Sequence, residues 1–542
     1  MQISLALLGK RRFAPLFATQ MLGAFNDNLF KIAMVLFVTY QISNSEAMDA
    51  QFSAVSTGLF ILPFFLFSAL AGQLADSHDK AKIICIVKTA EIFIIAVGVT
   101  GLMLGSIPTM LAALFALGVI AAVWRAPNER PRAFLAMLLL AEGGLLGLFA
   151  AGDLVLFYIF WEAMLIPFYF LIGMWGGEGR AKVTTTFVIY TMVGSLLMLV
   201  SILATAFIAR DITGQFTFTI RDLVGVSFSD PHSTWLFLGF ALAFAIKLPL
   251  WPFHGWLPGA YRTAPILVTG LMAAVMSKAG VYGFLRIGLP VFPEGASRFA
   301  IPIGVLAVVG IIYGSLLAWR APTMRLLVAY SSLAHLGFIL LGVIAIDVQA
   351  SQGAVLQMVN HGIVVAAAFA IVAAINRAEP DDRIDDIGGL AAGAPRLTGI
   401  FLIVAMASLA IPGSNSFAGE FLILTGVFRQ YWWLTALACI GIVYAAVYML
   451  RLYQSPMNAP VKGRRGHTAQ LRPSDLVILL PIAAPMPFIA LWPNAIVRST
   501  TTSIERAVPP AQVAADRPQD QIRALAPTYP PATPQHLPSA PN

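Results

Sequence analysis

The stretch "LVLFYIFWEAMLIPFYFLIGMW" runs from Leu154 to Trp175 and carries one acidic or basic side chain, Glu162, near its middle. About twenty consecutive apolar residues are enough for a helix to cross a bilayer. A carboxylate at the centre of such a helix costs roughly 2.5–3.5 kcal/mol on insertion scales. The stretch therefore reads as a membrane helix whose acid shares its surroundings with other polar groups of the chain.

Composition agrees with that reading. Of 542 residues, 58% are hydrophobic and 11% are charged, which excludes an ordinary soluble domain. In lipid only helices and closed barrels satisfy every backbone polar group, and these apolar runs do not alternate, so helices are expected. The formal net charge of +8 does not point to nucleic acid, because the bases cluster in short loops between apolar runs. Cys85 and Cys439 lie in separate apolar segments and cannot hold an iron–sulfur cluster. No zinc spacing and no Gly-rich nucleotide loop is present. The expectation is a chain with no cofactor and no metal of its own. The N-terminal residues lack a small-residue cleavage site, so the first apolar run is expected to remain as a membrane helix.

About fifteen spans are expected, near 14–40, 53–74, 82–104, 107–123, 133–152, 154–175, 184–208, 235–257, 264–289, 299–319, 323–346, 352–375, 397–426, 431–453 and 474–495. With Lys10, Arg11 and Arg12 cytoplasmic, alternate loops hold Lys80, Lys82, Arg125, Arg130, Arg132, Arg180, Lys182, Arg320, Arg325, Lys462, Arg464, Arg465 and Arg472. The opposite loops are poor in bases, which puts the N-terminus in the cytoplasm and the tail outside. Residues 497–542 are rich in Pro, Ala and Thr and read as a disordered tail.

Glu162 is not alone. Glu142, Lys247, Lys278, His335, His361 and Glu420 interrupt other apolar runs. Charges inside a bundle are paired, hydrated or functional. Any one of them also reads, less readily, as half of a structural ion pair. Spread over successive helices, they outline a polar track through the membrane. Pro249 and Pro252 follow Lys247, and Pro412 and Gly413 precede Glu420. Proline removes a donor and clashes with the preceding turn, so both helices are expected to break near the midplane. Each site alone also reads as a packing kink. Broken helices beside charges are the pattern of transporters built from inverted repeats.

Two resemblances follow from longer motifs. "FATQMLGAFNDNLFK" (Phe17 to Lys31) and "AGQLADSHDKAK" (Ala71 to Lys82) resemble the first helices, and the loop between helices two and three, of major facilitator transporters of the lysophospholipid type. Residues 1–124 are therefore expected to form about four helices of that kind. From about Pro131 the chain resembles the antiporter-like chain M of proton-pumping NADH:quinone oxidoreductase, respiratory complex I. The resemblance rests on the stretch from Arg130 through "WEAMLIPFYFLIG", "AFAIKLPLWPFHGWLPGAY", "LMAAVMSKAGVYGFLRIGLPVFP", "AYSSLAHLGFILLG", "QMVNHG" and "IPGSNSFAGEFLIL", in the family's order. It departs from the family at Gly259 and Tyr261, where an acid and a histidine are usual, and in "TTTFVIYT", which lacks the usual lysine.

The resemblance implies an all-α polytopic fold with inverted repeats of about five helices each over residues 125–496. It implies a proton relay in which Glu162 and Lys247 are an acid–lysine pair and Lys278 is the central lysine. His335 and His361 flank the central connection, Glu420 is the terminal acid towards the outside, and Glu142 is a second acid. The physical logic is compatible: burial favours the neutral form of an amine and a nearby carboxylate favours its charged form. Neutral imidazoles are suitable relay groups. Each histidine also reads as a core residue hydrogen-bonded to a neighbour.

The implied function is proton translocation across the bacterial inner membrane, driven by quinone reduction in other subunits. The FMN and iron–sulfur clusters would reside in those subunits, the neighbours would be chains L and N, and no quinone would bind here. The competing readings are a subunit of a cation/proton antiporter or membrane-bound hydrogenase, or a lysophospholipid or solute transporter.

Overall fold

In a computed structural model the chain is described over residues 131–377, 383–460, 471 and 473–515. The major-facilitator-like helices expected before residue 124 lie outside the described residues, as does the end of the chain after Ala515. The described part is helical, with two isolated β-bridges, Asp153–Thr219 and Thr323–Arg383.

The elements that matter for the site are α1 (Pro131–Ala150), α2 (Leu154–Trp175), α3 (Arg180–Thr213), α4 (Asp230–Lys247) and α5 (Ile266–Val291). They continue with α6 (Pro293–Arg320), α7 (Met324–Ile344), α8 (Val348–Ile375), α9 (Pro395–Ser408) and α10 (Asn415–Asn458). Last come α11 (Leu479–Leu491), α12 (Asn494–Ala507) and α13 (Pro509–Ala515). Among the described residues 7 helices are long and apolar enough to cross a membrane, or up to 8 if the bent pair α11–α12 counts as one.

Short polar residues start several helices. Asp153 accepts from the backbone N–H of Val155 and Leu156 at the head of α2, at 2.8 and 3.1 Å. Asp347 does the same for Ala350 at the head of α8, at 2.8 Å. Each satisfies donors that the first turn leaves without a helical partner.

Burial sorts the helices into shells. In α7 and α8, 94% of the spanning window is enclosed, against 44% in α2 and α3. The exposed side of α3 presents Ile189, Val193, Leu196, Val200 and Phe207, the apolar face expected of a helix against lipid. The histidines of α7 and α8 are thus carried by the most central helices.

Close packing of α8 against α10 depends on glycine. A Cβ at Gly353 would stand 2.7 Å from the Ile423 nitrogen and 2.9 Å from the Gly419 carbonyl oxygen, both backbone atoms that cannot swing aside. Gly353→Val is expected to lower stability by about 1–3 kcal/mol or more, since overpacking against backbone has no soft escape. Thermal denaturation of the solubilised protein checks this, and an unchanged transition would contradict the packing argument.

Two of the expected spans are divided beside Lys247 and Glu420, where the prolines lead a break to be expected, and a third runs on from its neighbour. The run expected as 235–257 stops being helical at Lys247, and that expected as 397–426 is interrupted between Ser408 and Asn415. The 431–453 span is continuous with the preceding helix in α10, which bends at Tyr431 (φ −142°, ψ 69°).

The tail corrects the sequence reading. Residues 497–515, expected to be disordered, belong to α12 and α13, and α12 turns by 79° from α11. Ile496, Thr500 and Ile504 recur every four residues and are buried, followed by buried Val508 and Ala511. That spacing places them on one helical face. Composition averages it away, because the opposite face of "NAIVRSTTTSIERA" is polar.

Candidate functional site

α4 carries Lys247 at its last position, and the local sequence explains why the helix ends there. Pro249 has no N–H, and the next donor, Leu250 N, bonds the Ala245 carbonyl (2.8 Å) rather than that of Ile246. The freed Ile246 carbonyl is taken by the indole N–H of Trp256 at 2.9 Å. The chain then passes through turns containing Pro249 and Pro252 and resumes as a short helix, Leu257–Thr263.

The second break follows different residues. α9 ends at Ser408, Ala410 adopts φ +48° and Gly413 φ +93°, and α10 begins at Asn415. Only a residue without Cβ adopts the second conformation at little cost. The restarted helix is pinned to α8: Asn415 Nδ2 donates to Asn360 Oδ1 (3.1 Å), and Asn360 Nδ2 donates to the Asn415 carbonyl (2.7 Å).

α5 is continuous but irregular. Met272–Met276 wind as a π-helix, so Ser277 N bonds the Met272 carbonyl (3.1 Å) instead of that of Ala273. The released Ala273 carbonyl accepts from Lys278 Nζ at 2.6 Å and from the Ser277 hydroxyl at 3.0 Å. A buried ammonium gains an acceptor from the backbone of its own helix.

From Lys278 a chain of contacts crosses the central helices. Lys278 Nζ lies 2.7 Å from His361 Nδ1 on α8. The His361 ring is 5.4 Å, centroid to centroid, from that of His335 on α7. His335 Nδ1 is 3.2 Å from Glu420 Oε1 on α10, which also accepts from Gln357 Nε2 at 3.0 Å. All of these residues are buried, Lys278 completely. The outer imidazole nitrogens, Nε2 of both histidines, are buried without a hydrogen-bond partner. Tyr448, also buried, is within electrostatic range of Glu420.

Glu162 and Lys247 form a second group. Lys247 is 1% exposed, and its Nζ has no hydrogen-bond partner. Glu162 is the charge that acts on it electrostatically, yet Glu162 Oε1 is itself buried without a partner. The ammonium instead stands over the ring of Trp161, 4.9 Å from its centroid. Glu142 is buried on α1, the helix against which α2 packs. Between this group and Lys278 the connection is backbone packing: a Cβ at Gly280 would meet the Phe244 carbonyl oxygen and come within 2.9 Å of Leu248 Cβ. Among the described residues, no three His, Cys, Asp or Glu side chains are placed to share a metal ion.

Charged groups carried through a helical bundle beside two broken helices invite comparison with known proteins. The family described as NADH:quinone oxidoreductase/Mrp antiporter, transmembrane region, matches residues 151–445. The chain belongs to that family.

Relatives within it are close. NADH-quinone oxidoreductase subunit M of Mycobacterium tuberculosis is 38% identical over 407 residues, 71% of this chain and 73% of that protein. Subunit M of Escherichia coli K12 is 35% identical over 400 residues, 72% of this chain and 78% of that one. A chain of respiratory complex I from Thermus thermophilus with bound NADH superposes with a TM-score of 0.69 at 33% identity, covering 75% of this chain and 85% of its own. A chain of the Mrp complex from Dietzia sp. DQ12-45-1b shares the fold, with a TM-score of 0.67 at 19% identity, covering 80% and 94%. The antiporter-like fold and the subunit-M resemblance drawn from the sequence motifs are thereby met.

In this member of the NADH:quinone oxidoreductase/Mrp antiporter family, several site residues escaped the sequence reading. Gln357 lies four residues before His361 on the same helical face, so "QMVNHG" could have disclosed it, whereas Asn360, next to His361 in the chain, points about 100° away and bonds Asn415 instead. Trp161 and Tyr448 read as ordinary core aromatics, and the π-helical turn has no side-chain signature.

Proposed function

We propose that this chain is the M-type membrane subunit of an NADH:quinone oxidoreductase, moving protons across the membrane while other subunits carry out electron transfer. It supplies no redox centre to the reaction. The observation that carries the relay reading is the run Lys278–His361–His335–Glu420, which links four helices through buried groups that each hold or release a proton.

The residues divide the work. With Lys278 protonated, its ammonium donates to His361 Nδ1; with Lys278 neutral, the amine can accept from it. The imidazole-to-imidazole step exceeds hydrogen-bond length, so a proton crosses it by ring rotation or through a bridging water. Glu420 receives it at the far end, held in place by Gln357. Lys247 and Glu162 act as the control pair. Neutralising or displacing either charge changes how firmly the other holds a proton. Glu142 is a second acid, on the helix against which that of Glu162 packs.

The finer architecture follows from the same reading. Residues 125–496 would form two inverted repeats of about five helices, each with its broken helix in the fourth position. Residues 1–124 would be a major-facilitator-like addition outside the relay, giving about fifteen spans in all. The N-terminus would be cytoplasmic and the tail periplasmic in a bacterial inner membrane. FMN and iron–sulfur clusters belong to partner subunits, and the antiporter-like chains L and N are the neighbours.

The Mrp-like fold keeps a cation/proton antiporter as the second reading. Inside-out vesicles separate the two. NADH oxidation should acidify their lumen, and a sodium pulse without NADH should leave an imposed pH gradient intact. Collapse of the gradient by sodium, with NADH-driven acidification independent of this chain, would favour the antiporter.

A further inference from the structure

Lys247 is a buried ammonium without a hydrogen bond, and its near neighbours are a carboxylate it does not touch and an aromatic face it does. Trp161 and Glu162 are consecutive on α2, so their side chains diverge by about 100° around the helix and flank the lysine from two directions. The flexible stem of a lysine lets its head pass between them by rotation of its outer bonds. We propose that Trp161 is a positioning residue for Lys247, its ring face holding the ammonium in the state in which the lysine is not paired with Glu162. This rests on the relay reading and deepens it, since it names what stabilises the open half of the Glu162–Lys247 switch.

The ring is itself held. Trp161 is 1% exposed and packs against Phe157 (centroids 5.5 Å apart) and Phe244 (5.7 Å). Phe244 lies on α4, one turn before Lys247, and its ring meets Phe284 of α5 at 5.3 Å. The helix that carries the lysine therefore also fixes the ring on which the lysine rests. The same aromatic contacts continue to the helix of Lys278.

An aromatic face suits this task better than another hydrogen-bond acceptor. A charge-assisted hydrogen bond would trap the ammonium. A cation–π contact is weaker and has no single angle of approach, so it holds the charge without preventing its return to Glu162. An aliphatic side chain at 161 would leave the open state without any partner for the charge. The lysine would then stay on the carboxylate or give up its proton.

Replacing Trp161 by mono- to tetrafluorotryptophan through nonsense suppression, in the whole complex in its own membranes, weakens the ring's attraction for a cation with little change of shape. Protons pumped per NADH should fall in step with fluorine number, by about three- to tenfold for the tetrafluoro ring. Uncoupled NADH oxidation should be unchanged. Trp161→Phe, which keeps a face, should retain most of the coupling, and Trp161→Leu should match the tetrafluoro protein. Normal coupling with tetrafluorotryptophan overturns the proposal even if Trp161→Leu is impaired, since the ring then serves packing alone. Lys247→Ala, run in parallel, separates the two levels. If it pumps normally, the relay reading falls and this inference with it; if it is inactive while the fluorinated series is normal, only the role of Trp161 falls.

Discussion

Lys247→Ala is expected to reduce NADH-driven proton pumping by about tenfold or more, the range in which loss of a positioned acid–base group falls. Glu162→Ala should do the same. Lys247 is wholly buried, and Glu162 is the charge acting on it, so neither group has a substitute within the described residues. Removing one partner leaves the other without its counter-charge, which lowers stability as well. Assembly must therefore be scored beside pumping, by native electrophoresis of the complex and by uncoupled NADH oxidation. Assembled complex that pumps at the normal rate would remove Lys247 from the mechanism.

Lys278→Met should be equally severe for a different reason. The lysine joins α5 to α8 through His361, 2.7 Å away, and also takes the carbonyl freed by the π-helical turn. Methionine keeps much of the volume, so packing is largely spared. What disappears is the link proposed to carry protons, and the His361 Nδ1 is left buried without its partner at a cost of about 1–3 kcal/mol. Pumping should fall by about tenfold or more, and the transition temperature of the complex should drop measurably. Pumping at the normal level would mean that protons do not pass between α5 and α8 at this point.

The sequence displayed these residues unevenly. Glu162, Lys247, Lys278 and Glu420 were legible because a charge in an apolar run has a large energetic cost that only a partner or a function offsets. The two chain breaks were legible at Pro249 and Gly413, whose backbones resist the regular helix. Which groups touch was not legible. Lys278 and His361 are 83 residues apart, and only the packing of α5 on α8 brings them to 2.7 Å. The π-helical turn is a choice of backbone hydrogen-bond register with no required residue type. Trp161 was hidden by its company, since a tryptophan among Phe, Tyr and Leu reads as filling. In α12 the opposite bias operated: a polar average concealed Ile496 and Ile504 on one face.

Removing both charges of the switch together separates mechanism from stability. Glu162→Gln with Lys247→Met leaves no buried charge unpaired, so the double variant should assemble at least as well as either single one. The measurement is the number of protons translocated per NADH oxidised in inside-out vesicles, set against uncoupled oxidation in the same preparation. Relay through this chain requires that ratio to drop well below that of the unmodified complex while uncoupled oxidation persists. An unchanged ratio in the double variant would contradict the claim that protons move through these residues.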